Sequence, residues 1–390
     1  ARLNLFQRAM GLLALPLLWV LSELLRDWVI TGFPWLSLGY LAADTVAARL
    51  APITGVYGIS AMAVLAALLL YWIAAHAWIT LRFIALLLLP LMWAALHLLP
   101  APSTWTQPVG EPVSTAIVQG NIAQDQKWLR EMQLPTLLRY RDLSLEAMDA
   151  RLVVWPEVAL TQRYDQVRDN LLAQLDASAK LRGSTLLAGL IIRDDEKNGV
   201  FNSIVTLGAD QGRYDKHHLV PFGEFFPIPD WLRPLMDVLG TPYSEFLFGS
   251  KTQPPQRLGA ETIGLSICFE DVFGNEFRQL AKTSSLLMNA TNDAWFGHSP
   301  AAEQHLQIAR LRALETGREI LRASNTGRSA IISADGEILA SAGFFSTELL
   351  RGSAQPRSGL TPYVSWGDTP LWLLSLTVLL FLGWEHRRRR

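Results

Sequence analysis

Cys268 is the only thiol in the chain, and its neighbours suit a nucleophile as readily as a core residue. Gly264–Ile267 reads as the end of an apolar strand, and Phe269-Glu270-Asp271 begins polar sequence. A nucleophile belongs at such a strand end, where a turn exposes it and lends a backbone N–H to an oxyanion. The competing reading is a buried, inert small hydrophobe, the usual fate of a lone cysteine. A thiol nucleophile needs a base. Trp155-Pro156-Glu157 ends a second apolar strand, Leu152–Val154, so Glu157 is either a desolvated carboxylate or a surface turn residue. A third segment, Tyr214–Pro227, packs charge, aromatics and two prolines. Lys216 within it is either a partner for an oxyanion or a solvated loop lysine.

The elements that must position these residues lie between 102 and 360. Strands are predicted at Ser114–Gln119, Leu152–Trp155, Thr185–Ile192, Asn202–Leu207, Thr262–Cys268, Leu286–Ala290 and Ser329–Ser333. Helices are predicted at Gln126–Asp149 with a break at Pro135, at Asp165–Leu181 and at Ala301–Ile320. Asp335-Gly336 is a hairpin turn signal. The pattern describes a layered α/β domain long enough to bury its own core.

The flanking sequence is of another kind. Half of the 390 residues are hydrophobic and only 18% are charged, which excludes disorder and is low in charge for one soluble domain. The apolar excess collects in Ala9–Ile30, Pro52–Ile73 and Trp78–Leu99, each long enough to cross a bilayer as a helix. A shorter stretch, Thr369–Trp384, spans if helix continues back towards Tyr363. Placing Arg387–Arg390 inside puts Arg2, Arg8 and Arg82 inside too, and 102–360 outside. The domains expected are 1–101, a three-span helical region; 102–360, the α/β domain; and 361–390, a last helix with a basic cytoplasmic tail. In the first span Arg26 can pair with Glu23 at i,i+3, and Glu23, Arg26 and Asp27 read as docking or interfacial residues.

Other chemistry is poorly served. There is no HExxH, CxxC, P-loop or dinucleotide fingerprint, so no metal and no cofactor is expected. Gly264-x-Ser266 lacks the second glycine of a serine nucleophile elbow. A net charge of −1 argues against a nucleic-acid partner.

Glu157, Lys216 and Cys268, in that order and each near a strand end, resemble the Glu–Lys–Cys triad of the nitrilase superfamily. More narrowly, the chain resembles the bacterial apolipoprotein N-acyltransferase family. The likeness rests on Gly32-Phe33-Pro34-Trp35, Val118-Gln119-Gly120-Asn121-Ile122, Lys127-Trp128, Trp155-Pro156-Glu157, Asn202-Ser203 and Lys216–Glu224. It continues through Ile267-Cys268-Phe269-Glu270, Asn292–Gly297, Ala309–Glu315 and Gly359–Tyr363. The resemblance implies a four-layer αββα sandwich inserted between transmembrane helices. The family has eight such helices and four are counted here. With Ala at position 1, the expectation is that the first helices lie outside this sequence.

The resemblance implies transfer of a fatty acyl chain from a phospholipid, through a Cys268 thioester, to the α-amine of a diacylglyceryl apolipoprotein. The setting would be the periplasmic face of the bacterial inner membrane, with the enzyme a membrane-embedded monomer. Glu157 would be the base, and Lys216 with the Phe269 N–H the oxyanion donors. Glu224 and Glu270 would orient Lys216 and tune the charge around Cys268. Trp128, Asn202, Trp295 and Phe296 would contact substrate. The apolar stretch from Ile228–Met236 through Phe246–Phe248 is either a lipid-dipping arm over the site or a strip packed on the core. Two rivals are a membrane-tethered amidase with the same triad and a non-catalytic lipoprotein-binding membrane protein.

Overall fold

The computed structural model describes residues 5–75, 79–227 and 246–389. These divide into a helical unit, 1–106 with 314–317 and 359–390, and an α/β unit, 107–313 with 318–358.

In the helical unit α1 (Leu5–Arg26), α2 (Ala51–Ala75) and α3 (Ile79–Leu98) are joined in part by short 3-10 turns. Among the described residues, one stretch, Val46–Ala74, is long and apolar enough to cross a membrane, and Arg82–Leu98 is a shorter apolar helix. This is fewer than the four expected spans. The last helix does not run back to Tyr363: Pro362–Trp366 is a separate short helix, Gly367 breaks it at φ 59°, and helix resumes at Thr369–Arg389. The expected Glu23–Arg26 pair is not formed either. Glu23 is buried and accepts from the Trp19 Nε1 at 3.0 Å and the Leu38 N–H at 2.8 Å, while Arg26 donates to the Ser37 hydroxyl. Both bonds go to Glu23 Oε1, and Oε2 is buried without a partner.

The α/β unit is built on two six-stranded sheets. The first takes β2 (Val113–Gln119), β3 (Leu152–Val154), β4 (Thr185–Asp194), β5 (Gly199–Gly208), β6 (Gly212–Asp215) and β13 (Glu348–Ala354), in the order β13-β2-β3-β4-β5-β6. The second takes β7 (Gln256–Leu258), β8 (Glu261–Ile267), β9 (Leu286–Thr291), β10 (Ile320–Ser324), β11 (Ala330–Ile332) and β12 (Ile338–Ser341), in the order β12-β11-β10-β9-β8-β7. A short pair, β1 (Gln107–Pro108) with β14 (Arg357–Ser358), stands apart from both.

Alternation along each strand decides what meets what. Val113, Ile117, Leu152 and Val154 point inward and pack on Ile263, Leu265, Ile267 and Met288 of the second sheet. Ala116, Val118 and Val153 point the other way, onto Tyr140 and Ala147 of α4 (Gln133–Ala147) and Leu175 and Ala179 of α5 (Ala173–Arg182). Both faces are buried, which is why these strands read as near-continuous apolar runs. On the far side, Leu280 of α6 (Gly274–Leu280) sits over Gly264 of β8, and α7 (Ala301–Thr316) buries Leu306, Ile308 and Leu311. The layers are helix, sheet, sheet, helix, as the resemblance implies.

Several boundaries differ from expectation, among them the helix expected from Gln126, which starts at Gln133, and three others. Pro135 falls in the first turn of α4, where its missing N–H costs nothing, and does not break it. Helix α7 stops at Thr316 because Gly317 turns the backbone to φ 61°, and Ile320 opens a strand instead. Strand β8 ends at Ile267, so Cys268 is the first residue of a turn.

Candidate active site

The three residues singled out by type and spacing meet at one end of the two sheets. Glu157 follows β3, Lys216 follows β6 and Cys268 follows β8. The turn carrying Glu157 lies flat against β4. A Cβ at Gly189 would come 2.1 Å from the Pro156 carbonyl, so only glycine admits that approach. Val158 then turns the chain away at φ 44°, and Cys268 itself sits at φ 51°. Positive φ at a β-branched residue and at a side chain facing the site is strain of the kind that surrounding structure must hold in place.

Lys216 is no solvated loop residue. It is 1% exposed, and its ammonium donates to Glu157 Oε1 at 3.1 Å and Glu224 Oε1 at 2.7 Å. Burial opposes its charge, but Glu157, then Glu224 and Cys268, outweigh it and hold its pKa well above the ordinary value. Glu157 is buried too. Its Oε1 also accepts from Asn202 Nδ2 at 2.8 Å, and its Oε2 from the Asn292 backbone N–H at 2.9 Å. Cys268 is half-buried. Burial and then Glu157 push its thiol pKa well up, while Lys216 and a hydrogen bond with Thr291 pull it down less. At neutral pH it is a thiol in need of a base.

Glu224 touches Lys216, and its other oxygen takes the Val220 N–H at 2.8 Å. Glu270 does not orient Lys216 directly. It accepts from the backbone of Ile267, His217 and His218 and from the Tyr214 hydroxyl, at 2.7–3.1 Å. It therefore staples the strand end before Cys268 to the segment after Lys216. Burial raises the Glu270 pKa, but His217 and these backbone donors win and lower it. Asn202 contacts Glu157. Phe269 follows Cys268 in the turn and is buried against Phe273. Trp128 and Trp295 are 55% and 72% exposed, and Phe296 is half-buried. Ile228–Met236 lies outside the described residues. Phe246–Phe248 is described: Leu247 donates its N–H to the Val200 carbonyl at 2.8 Å and Phe248 meets Phe225 edge to face.

Several participants carried no readable signal. Behind Cys268, His305 of α7 bridges Asp271 and Asp293 at 2.9 Å each, and Arg322 of β10 reaches Asp293 at 2.9 Å. All four are fully or nearly fully buried. Thr291 bonds Asp293, and Asn289 donates to the Cys268 carbonyl at 3.1 Å. Asn289 lies in a strand already predicted and Asn292 follows its end, inside the Asn292–Gly297 motif; its role as a holder of Glu157 was the missing step. No group of three or more metal-type ligands occurs among the described residues.

Two sheets between helix layers, with a buried Glu–Lys pair beside a cysteine at a strand end, define a carbon–nitrogen hydrolase domain. The carbon-nitrogen hydrolase family model matches residues 114–359, and the apolipoprotein N-acyltransferase N-terminal domain model matches 1–69. The chain is 43% identical to an apolipoprotein N-acyltransferase of Methylococcus capsulatus, covering 92% of this chain and 71% of that protein. It is 40% identical to one of Nitrosomonas europaea, over 94% and 73%, and 35% identical to one of Vibrio parahaemolyticus, over 98% and 77%. The chain belongs to the apolipoprotein N-acyltransferase family.

Proposed function

We propose that Cys268, Glu157 and Lys216 move a fatty acyl chain from a phospholipid to the α-amine of a diacylglyceryl apolipoprotein. The observation that carries this reading is the buried Glu157–Lys216–Glu224 cluster beside a strained, half-buried Cys268. In the first half-reaction Glu157 takes the thiol proton as sulfur attacks the ester carbonyl. The carbonyl π pair moves to oxygen, where Lys216 and the Phe269 N–H donate to it. The C–O bond then breaks, and Glu157 returns its proton to the departing lysophospholipid. In the second half the amine attacks the thioester and Glu157 takes the amine's proton; the C–S bond then breaks, and Glu157 passes that proton to the departing sulfur to regenerate the thiol. Asn202 and Asn292 hold Glu157 in place through both halves. Trp128, Trp295 and Phe296 offer aromatic surface for the acyl chain.

The domain reading that goes with this puts 102–360 in the periplasm, with 1–101 and 361–390 as helices in the inner membrane. Support comes from the apolar Val46–Ala74 stretch and from the placing of Arg2, Arg8, Arg82 and Arg387–Arg390 on one side. The enzyme works as a monomer without a cofactor, since one chain supplies base, cation and nucleophile.

The test is an intact mass of the full chain after incubation with phosphatidylethanolamine vesicles and no amine. One added acyl group, absent from Cys268→Ala and discharged by a diacylated lipopeptide, is the expected result. No acyl group on wild-type Cys268, together with release of ammonia from a soluble amide, would replace this reading by an amidase.

A further inference from the structure

Lys127 lies in the loop after β2, and the mechanism above does not use it. Lys127 is 4% exposed as a residue, and its ammonium keeps only a trace of solvent, with no hydrogen bond to an acceptor among the described residues. A buried lysine is nearly always paired, because an unpaired ammonium out of water is costly. Burial lowers its pKa to about 8, and the groups whose fields work against that are Glu157 and Cys268. The charges that Lys127 feels most are thus those of the two reacting groups.

Its loop is bolted to the site. Ile122 and Asn325 exchange two hydrogen bonds, at 2.9 and 2.7 Å, and Gln124 accepts from Asn292 Nδ2 at 3.0 Å. Asn292 is the residue whose backbone N–H holds Glu157. In the sheet order, β2 and β6 lie on opposite sides of β3. The strands that lead to Lys127 and to Lys216 therefore lie on either side of the one that leads to Glu157.

The two cations differ in commitment. Lys216 gives hydrogens to Glu157 and Glu224, whereas Lys127 gives none. At rest, Glu157 and Glu224 balance Lys216 and Lys127, with Cys268 a neutral thiol. Attack moves the thiol proton to Glu157 and leaves the negative charge on the acyl oxygen. Lys216 must then serve Glu224 as well as the acyl oxygen, so Lys127 supplies the second positive charge that matches the new anion. Resting on the acyl-transfer reading, we infer that Lys127 is a further catalytic residue whose ammonium donates to the acyl oxygen of the tetrahedral intermediates. A donor with no partner in the ground state gains one only as charge develops, and that is binding selective for the transition state.

The test compares the full chain with Lys127→Met and Lys127→Arg by three readouts. These are acylation of Cys268 by phosphatidylethanolamine vesicles, its acylation by p-nitrophenyl hexanoate, and its alkylation by iodoacetamide, which forms no oxyanion. Lys127→Met is expected to slow both acylations by about 10²–10³-fold, with alkylation and KM within about threefold of wild type. Lys127→Arg, which keeps a cation, is expected to recover at least about tenfold of the loss. Acylation within about threefold of wild type in Lys127→Met would overturn the assignment. So would a parallel fall in alkylation and in melting temperature, which would make Lys127 structural. If wild type accepts the nitrophenyl ester but not the phospholipid, the donor assignment fails while Lys127 is still judged on the ester. If it accepts neither, both fall.

Discussion

The two sides of Cys268 both hold buried ions, and they are wired differently. Behind it, Asp271 and Asp293 face His305 and Arg322, all four at most about 2% exposed. Burial and Arg322 lower the His305 pKa, but the two aspartates prevail and raise it. Burial raises that of Asp293, and Arg322 and His305 more than reverse it. Two acids and two bases interlock, and each charge has its partner in the resting protein. In front, Lys216 is shared by two carboxylates, one of which is the proposed base, and Cys268 and Glu224 keep some access to solvent. The front cluster can exchange partners when a proton moves; the rear one gains nothing by doing so. A buried ion set that is closed at rest is scaffold, and one left open is machinery.

The largest effect expected is at the front. Glu157→Gln keeps the side chain's size and removes its ability to take a proton. Acylation of Cys268 is expected to fall by about 10²–10⁴-fold, the usual worth of a positioned general base. The melting temperature should fall by less than for the rear variant below. Single-turnover acylation with parallel calorimetry reads both. A Glu157→Gln enzyme within about tenfold of wild type would place the base elsewhere and break the comparison.

At the rear, Arg322→Met removes one partner and strands Asp293 and Asp271 in the interior. Breaking a buried ion pair in this way costs about 3–5 kcal/mol. Urea unfolding is expected to show that loss, and Asp293→Asn added to Arg322→Met should return part of it by removing the stranded charge. Acylation by the folded fraction should suffer less than in Glu157→Gln. If activity collapses while stability holds, the rear cluster takes part in the chemistry.

How much of this contrast was legible in the sequence follows from separation along the chain. Glu157, Lys216 and Cys268 announce themselves locally, each closing an apolar run. Glu224 and Glu270 sit inside the same short motifs. The rear cluster does not: Arg322 and Asp271 are 51 residues apart and His305 and Asp271 are 34 apart, and no local pattern links them. Arg322 sits in a five-residue strand whose first residue, Ile320, the periodicity assigns to the preceding helix. One left-handed glycine at 317 makes the difference. Lys127 was visible only as part of Lys127-Trp128, because burial without a partner is a property of the fold. The edge strands β7, β12 and β13 were missed since they alternate weakly and carry exposed residues. The apolar helices were plain from composition, while the break at Gly367-Asp368 needed the backbone.

The smallest effect separates the two kinds of cluster at a third place. His217 follows Lys216 directly, yet its ring is held by Glu270 at 2.8 Å and Glu276 at 3.1 Å, like the rear histidine. Burial lowers its pKa, but hydrogen bonds to Glu270 and then Glu276 outweigh this and raise it to about 10. A raised histidine stabilises the fold fully below its unfolded value of about 6.5, and that contribution is lost as pH rises through about 10. Wild-type stability should therefore decline between about pH 6.5 and 10. His217→Gln should show a flatter profile over the same range in urea unfolding. If His217 is scaffold, kcat/KM at pH 7 should stay within about threefold once the variant is folded. A large loss of kcat with an unchanged alkaline slope would instead move His217 to the front cluster.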